Sequence, residues 1–290
     1  MLKKIFIIIG LLILKCSNIF AYSFPNNLSS TTDDTIGNYR FTLMPEKHLI
    51  PLFTADSRTH RLSICNVLGT REFIGGMGGV FPVFNIGNKK NQVLEFSVAS
   101  TLYTTLTRYQ IGGALLNTDF FVDLFLDAKL NDRFFLRSGA GHTSQHLSDD
   151  GVKRYSPINY VRDYFQLFGV YQFPKQKGMI YGGIVFNHNL KVTDATNAYD
   201  LSNTPMYQFG FEHVPFQICK YGYLYWAGDI KFRGEVNYGS TKNIQAGVKW
   251  MNENKKTIRL AANYGWGYDE RGQFYFQTRE YFYLGLYFDF

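Results

Sequence analysis

The chain has 290 residues, enough for one large domain or two small ones, and its 27 Phe and 21 Tyr help bring the aromatic share to 18%. Mean hydropathy is slightly negative, and beyond the first segment no apolar run approaches the ~20 residues a helix needs to cross a bilayer, which excludes a helical membrane protein. The formal net charge of +7 falls to +4 once Lys3, Lys4 and Lys15 leave with the amino-terminal leader, a balance too mild to argue for nucleic acid.

Residues 1–21 read as a secretory signal peptide. Lys3 and Lys4 form its basic start, Ile5 to Leu14 its apolar core, and Ala21 is the expected last residue removed. Cys16 follows Lys15, where a lipoprotein signal needs a small residue, so it is not read as a lipid anchor. Cys65 and Cys219 then remain. Two cysteines in an exported chain ordinarily suggest a disulfide, but the topology below sets them at opposite membrane faces. Residues 22–58 lack strong periodicity, and Ser29-Ser-Thr-Thr-Asp-Asp34 is polar. This stretch is expected to be a periplasmic arm or a short plug that enters the domain that follows.

From about residue 60 the chain breaks into alternating segments: 60–67, 72–84, 92–103, 114–129, 132–144, 158–173, 179–188, 205–213, 221–233, 242–251, 256–267 and 279–290. Successive side chains of a strand point to opposite faces, so each segment has an apolar and a polar side. Ile258, Leu260, Ala262, Tyr264 and Trp266, for example, oppose Thr257, Arg259, Ala261, Asn263 and Gly265. A soluble sandwich would bury the apolar parity against a second sheet. A transmembrane antiparallel β-barrel turns it to lipid and keeps the charged parity in the lumen. Strand length favours the barrel, over 59–290, with twelve strands expected and ten or fourteen as alternatives. The connections agree. Lys129–Asp132, Pro174–Gly178 and Asn252–Lys255 are short, whereas those near 145–157, 189–204 and 268–278 are long, as periplasmic turns and outer loops are. On this parity Arg137, Arg162, Asp229, Lys231, Arg233, Lys249 and Arg259 face the lumen, with Asp229 a local partner for the cations, or the cations pair with the arm. The many inward Tyr residues favour a filled interior over an open one.

The final strand carries a resemblance. Phe282, Leu284, Leu286, Phe288 and Phe290 share one parity, and Tyr281, Tyr283, Gly285, Tyr287 and Asp289 the other. A chain ending in such a strand on an aromatic residue resembles bacterial outer-membrane barrels. The resemblance implies a lipid environment and a barrel-insertion machinery that reads the strand ending in Phe290.

The segment Gly141-His-Thr-Ser-Gln-His-Leu-Ser-Asp-Asp150 concentrates chemistry. His142 and Ser144 lie two apart on one strand face, about 6.5–7 Å along the chain, close enough for an imidazole to serve a hydroxyl as general base. Both fall on the lipid-facing parity near the outer end. Asn159 on the next strand shares that parity, as does Asp163 unless a bulge in that strand shifts it. The pattern resembles outer-membrane phospholipase A, a twelve-stranded barrel with a His-x-Ser pair and an Asn on its outside wall. That resemblance implies Ser144 as nucleophile, His142 as base, Asn159 as the residue orienting it, and calcium at a dimer interface as the cofactor. The family motif continues Ser-Asn-Gly, whereas Gln145 and His146 stand here.

A broader resemblance covers nearly the whole mature chain. Leu52-Phe-Thr-Ala-Asp56, Leu116-Asn-Thr-Asp119, the His142–Asp149 block, Ile158-Asn-Tyr160, Gly272-Gln-Phe-Tyr275 and Leu284-Gly-Leu-Tyr-Phe288 look like a bacterial outer-membrane family known only as a domain of unknown function. Its central block reads Ser-Ser-His-Leu-Gly-Asp, from which Gln145 and Ser148 depart. This resemblance implies location and fold but no activity. Two functions therefore stay open: a non-catalytic barrel, structural or a narrow pore, and a surface-facing acyl-ester hydrolase. In the first, His146, Asp149, Asp150 and Arg154 anchor a long outer loop. As metal ligands, His142, His146, Asp149 and Asp150 are poorly spaced, because His-x3-His suits a helix face and on a strand lies two pleats apart. Gly75, Gly76, Gly78 and Gly79 lack the Lys-Ser/Thr and helix start of a phosphate loop and are expected to allow a bend or close packing of the arm.

Overall fold

A computed structural model describes residues 33–36, 39–88, 92–108, 112–252 and 256–289. The signal peptide, the first part of the arm and Phe290 lie outside the described residues. The strands are β1 (Asp33–Ile36), β2 (Tyr39–Leu43), β3 (Leu62–Val67), β4 (Glu72–Asn88), β5 (Gln92–Arg108), β6 (Gly113–Lys129), β7 (Phe134–Leu147), β8 (Asn159–Gln172), β9 (Gly178–Thr193), β10 (Ala198–Asp200), β11 (Thr204–Gln217), β12 (Gly222–Arg233), β13 (Gly239–Met251), β14 (Thr257–Tyr268) and β15 (Thr278–Asp289).

Twelve of these, β3 to β9 and β11 to β15, form a closed antiparallel barrel. Each pairs with its neighbour along the chain, and β15 returns to pair with β3, Gly285 opposite Cys65. Closure runs along Tyr283 to Phe288 of β15 against Leu62 to Val67 of β3. All twelve alternating segments of the sequence are present as these strands.

The barrel is inside-out relative to a soluble one. On β6, Phe121, Asp123, Phe125 and Asp127 point inward and are buried, while Phe120, Val122, Leu124 and Leu126 point outward and are exposed. The terminal strand repeats this, with Tyr283 and Tyr287 inside and Phe282 and Leu284 outside. The soluble-sandwich alternative fails on this point, because the charged parity is the buried one. An apolar outer belt over a polar interior is the transmembrane barrel pattern.

The first wall strand is split in two. β3 pairs with Phe73–Gly76 of β4, and β2 pairs with Phe84–Asn88 farther down the same edge. The intervening residues 44–61 turn into the lumen instead of continuing the wall. Leu49, Ile50 and Phe53 pack with Phe135, Phe168 and Tyr181, the Phe53 and Tyr181 rings stacking at 3.8 Å between centroids. Gly76 permits the return to the wall, since a Cβ there would lie 2.6 Å from Ser63 Oγ and 3.3 Å from the Arg61 carbonyl. Residues 44–61 thus form a strap inside the barrel.

Polar contacts fasten this strap. Lys231 Nζ donates to Asp56 at 2.6 Å, Arg58 lies 3.1 Å from Asp119, and His60 Nε2 is 2.6 Å from Asp123. Thr54 and Ser57 donate to Glu212 and Glu270. Glu270 belongs to the connection between β14 and β15, which folds inward and also reaches Lys231. In that connection burial opposes ionisation of Asp269, but the Arg271 guanidinium holds its carboxyl below the usual range. The described residues leave separate lumen cavities of about 110, 50 and 80 Å³ around the strap.

Cys65 is buried in the wall, Cys219 lies in the turn between β11 and β12, and both are free. In a Cys16→Ser chain, a polar maleimide should modify Cys219 in the folded barrel and leave Cys65 unmodified until denaturant is added. Equal labelling of both, counted by mass, would contradict the packing around β3.

Candidate active site

β7 and β8 pair in unbroken register from Phe134–Tyr171 to Gln145–Tyr160, which sets His142 directly opposite Asp163 and Ser144 opposite Val161. All four point outward. His142 and Asp163 side chains are about half exposed, at 48% and 45%, so the pair sits on the lipid-facing wall. The His142 Nδ1 to Asp163 Oδ1 distance is 2.6 Å. A carboxylate can only accept, so Nδ1 carries the proton and Nε2 is left as the basic nitrogen. Asp163 Oδ2 accepts from Asn189 Nδ2 on β9 at 2.8 Å. A chain of three polar side chains thus crosses three adjacent strands. Phe120 on β6 and Val161 on β8 flank Ser144 at its own level.

The inner face makes room for this strand. Asp123 accepts from Tyr164 Oη at 2.9 Å and from Gln166 Nε2 at 2.7 Å behind it. A Cβ on Gly141 would lie 2.3 Å from Asp123 Oδ1 and 2.4 Å from the Tyr164 ring, so only glycine fits there.

Asn159 stands elsewhere than at His142. It lies beyond the last β7–β8 pair, level with His146, two pleats from His142. The group that holds His142 is Asp163. The reason is register: β8 has no irregularity against β7, so Asp163 keeps its outward direction and takes the position opposite the imidazole. His146 is exposed and meets the Phe120 ring edge-on at 6.3 Å. With Asn159 it lines a shallow cleft of about 450 Å³, bounded also by Leu147, Ile158 and Thr193 to Ala195.

In the loop between β7 and β8, Asp149 is exposed and Asp150 pairs with Lys153 at 2.9 Å. Ser148 and Gln273 also anchor it. Ser148 Oγ donates to the Leu116 carbonyl at 3.2 Å and accepts from Gly151 N–H, and Gln273 Oε1 accepts from Ile158 N–H at 3.0 Å. Uncharged side chains that satisfy backbone groups carry no spacing signal, so nothing in the order of residues singles them out.

The seven lumen-parity charges lie inside the barrel wall. Arg137 makes a two-pronged contact with Asp127 at 2.8 and 2.7 Å. Arg233 donates to Glu235 at 2.8 Å, Lys249 to Glu212 at 2.5 Å and Arg259 to Asp289 at 2.7 Å. Arg162 lies over the Tyr164 ring at 4.6 Å. Asp229 accepts from Tyr181 at 2.7 Å and Gln208 at 2.8 Å, while Lys231 donates to the strap's Asp56. The interior is internally compensated rather than electropositive.

A calcium ion does not fit the residues of a single chain here. Among the described residues no three His, Cys, Asp or Glu side chains converge, and both oxygens of the outward Asp163 are already engaged.

A family profile matches residues 26–290. The chain belongs to the DUF1207 family, described as a protein of unknown function. No curated protein matches the sequence significantly. Among solved structures, this DUF1207 member is similar to the calcium-bound outer membrane phospholipase dimer of Salmonella typhi, at 13% identity over 79% of this chain and 90% of that one, TM-score 0.47. Outer membrane phospholipase A from Escherichia coli shares 12% identity over 79% and 96%, TM-score 0.47. The translocator domain of the autotransporter NalP from Neisseria meningitidis shares 10% over 82% and 91%, TM-score 0.38. At these identities and scores the likenesses carry no argument about chemistry, which rests on the residues themselves.

Proposed function

We propose that this chain is an outer-membrane barrel that hydrolyses acyl esters of membrane lipid on its outer wall, with Ser144 as nucleophile and His142 as base. The observation that carries the reading is the His142–Asp163 hydrogen bond on the lipid-facing parity, one pleat from Ser144. Ionisable groups on such a face are costly and call for a reason. Here they make a base whose free nitrogen points away from its orienting carboxylate, the arrangement of a serine hydrolase.

The chemistry balances with these groups. Ser144 Oγ forms a bond to the acyl carbonyl carbon while His142 Nε2 takes the hydroxyl proton. The tetrahedral adduct collapses, the ester C–O bond breaks, and His142 gives its proton to the departing alkoxide. Water then attacks acyl-Ser144 with His142 again accepting a proton, releasing a fatty acid and restoring the serine. Asp163 stabilises the imidazolium in both steps. The expected calcium, for which one chain lacks the donors, enters no step.

The site of action is taken to be the outer membrane of a Gram-negative bacterium, reached through the signal peptide at residues 1–21. The apolar outer belt supports this. A fluorophosphonate lipid ester tests the chemistry. It should label the refolded barrel at Ser144, located by peptide mass, and labelling should be lost in His142→Ala. Labelling elsewhere, or none, would sink the proposal.

A second reading, a closed non-catalytic barrel, is favoured over a pore by one observation. Among the described residues the strap and its ion pairs occupy the lumen, with cavities of about 110, 50 and 80 Å³ around it.

A further inference from the structure

β9 carries one irregularity, and it lies beside the site. Its register with β8 runs regularly from Met179 to Asn187, then jumps from Asn187 opposite Tyr164 to Asn189 opposite Asp163, leaving His188 extra. The extra residue reverses the parity of everything after it. Before it, Met179, Tyr181, Val185 and Asn187 are buried in the lumen; after it, Leu190 and Val192 are. In a regular strand Asn189 and Lys191 would share Asn187's inward face. The bulge turns both to the outer wall. Bulges beside sites commonly re-aim a side chain.

Both redirected residues meet the proposed site. Asn189 holds Asp163 Oδ2 at 2.8 Å. Lys191, which is exposed, stands opposite Val161, and Val161 stands opposite Ser144. The row is therefore Phe120, Ser144, Val161, Lys191 across four strands, with Lys191 about 10 Å from Ser144 by strand spacing. A flexible lysine stem covers much of that gap. Asp200 on β10 stands opposite Lys191 in backbone register, its carboxylate accepting from Ser202 N–H at 3.0 Å and lying within electrostatic reach of the Lys191 ammonium, which an incoming phosphate would have to share. Lys191 also lies toward the loop end, where a lipid headgroup would sit if its ester reached Ser144.

The geometry points to β9 as the third strand of the site: Asn189 is a positioning residue that fixes Asp163, and Lys191 binds the phosphate of the lipid whose ester Ser144 attacks. This rests on the hydrolase reading. It commits the substrate to a phosphate-bearing acyl ester rather than a neutral glyceride.

The test compares refolded wild type, Lys191→Ala, Lys191→Arg and Asn189→Ala on diacyl phosphatidylglycerol and on diacylglycerol of the same chains, in neutral detergent micelles. Lys191→Ala should lower the phospholipid-to-diacylglycerol ratio of kcat/KM about 10-fold and be rescued by arginine. Asn189→Ala should lower kcat on both lipids about 10-fold or more with KM unchanged. Its activity-independent readout is the nitrogen NMR spectrum of His142, which should show one tautomer in wild type and a mixture in Asn189→Ala. An unchanged ratio would make Lys191 an ordinary headgroup-level lysine and overturn its part. An unchanged tautomer would overturn the part of Asn189, whether or not the barrel is active. A wild type that hydrolyses neither lipid would overturn the hydrolase reading and the Lys191 assignment with it.

Discussion

Asp163→Leu should lower acyl-ester hydrolysis at least about 10³-fold while leaving the barrel no less stable than wild type. The two halves of this expectation come from one hydrogen bond. Asp163 fixes the proton of His142 on Nδ1 at 2.6 Å, so its loss lets the imidazole take the other tautomer, in which Nε2 cannot accept from Ser144. In serine hydrolases of established mechanism a wrong tautomer of this kind costs about 10⁴ in turnover. Stability should move the other way or not at all. A carboxylate on a lipid-facing parity is unfavourable, and leucine matches its neighbours Phe165 and Leu167, which are exposed on the same face. The Asn189 and His142 donors left behind offset part of that gain. The measurement is kcat on a soluble acyl ester beside the urea midpoint of refolding into vesicles. Full activity would remove Asp163 from the site. A large fall in the urea midpoint would make the pair a structural contact.

Lys231→Ala should destabilise the barrel by about 3–5 kcal/mol, the usual cost of removing one member of a buried ion network. Lys231 is the cation shared by Asp56 of the strap and Glu270 of the β14–β15 connection. Without it two carboxylates in the same part of the lumen lose their shared cation, and Asp229 lies beside them, joined through Gln208. The repulsion should release the strap on its β12 side. Planar bilayers should then register conductance with Lys231→Ala where wild type gives little or none. An unchanged urea midpoint with no conductance would mean that the strap is held by its apolar contacts at Phe53 and by Arg58 and His60 alone.

The wall was legible in the sequence because its physics is strictly periodic. Every spanning strand must separate charge from lipid, and the parity of segments such as Thr257–Tyr268 records that demand. A plug was one reading of the arm, but its contacts were not legible. Residues 44–61 make no ladder, and partners such as Lys231 for Asp56 and Asp119 for Arg58 lie 175 and 61 positions away in the chain. The site was half legible. His142 and Ser144 stand on the outward face that their parity implied, and the side chain hydrogen-bonded to His142 is Asp163, with Asn159 two pleats away. The sequence showed Asp163 on the right face and raised a bulge in its own strand; the bulge lies in the next strand instead. The expected end of that strand at 188 coincides with the extra residue, because parity breaks there, and the structure carries β9 on to Thr193 with its faces exchanged. A parity break inside a strand and a strand end look alike in one sequence.

The most direct measurement is acyl-ester hydrolysis by the refolded barrel, wild type beside Ser144→Ala, with and without calcium. Hydrolysis by wild type that falls by about 10³-fold or more in Ser144→Ala, with the heat-modifiable fold unchanged, is the predicted result. Equal rates in the two proteins, or no hydrolysis by wild type under either condition, would contradict a catalytic outer wall and leave the closed, strap-filled barrel as the account of this chain.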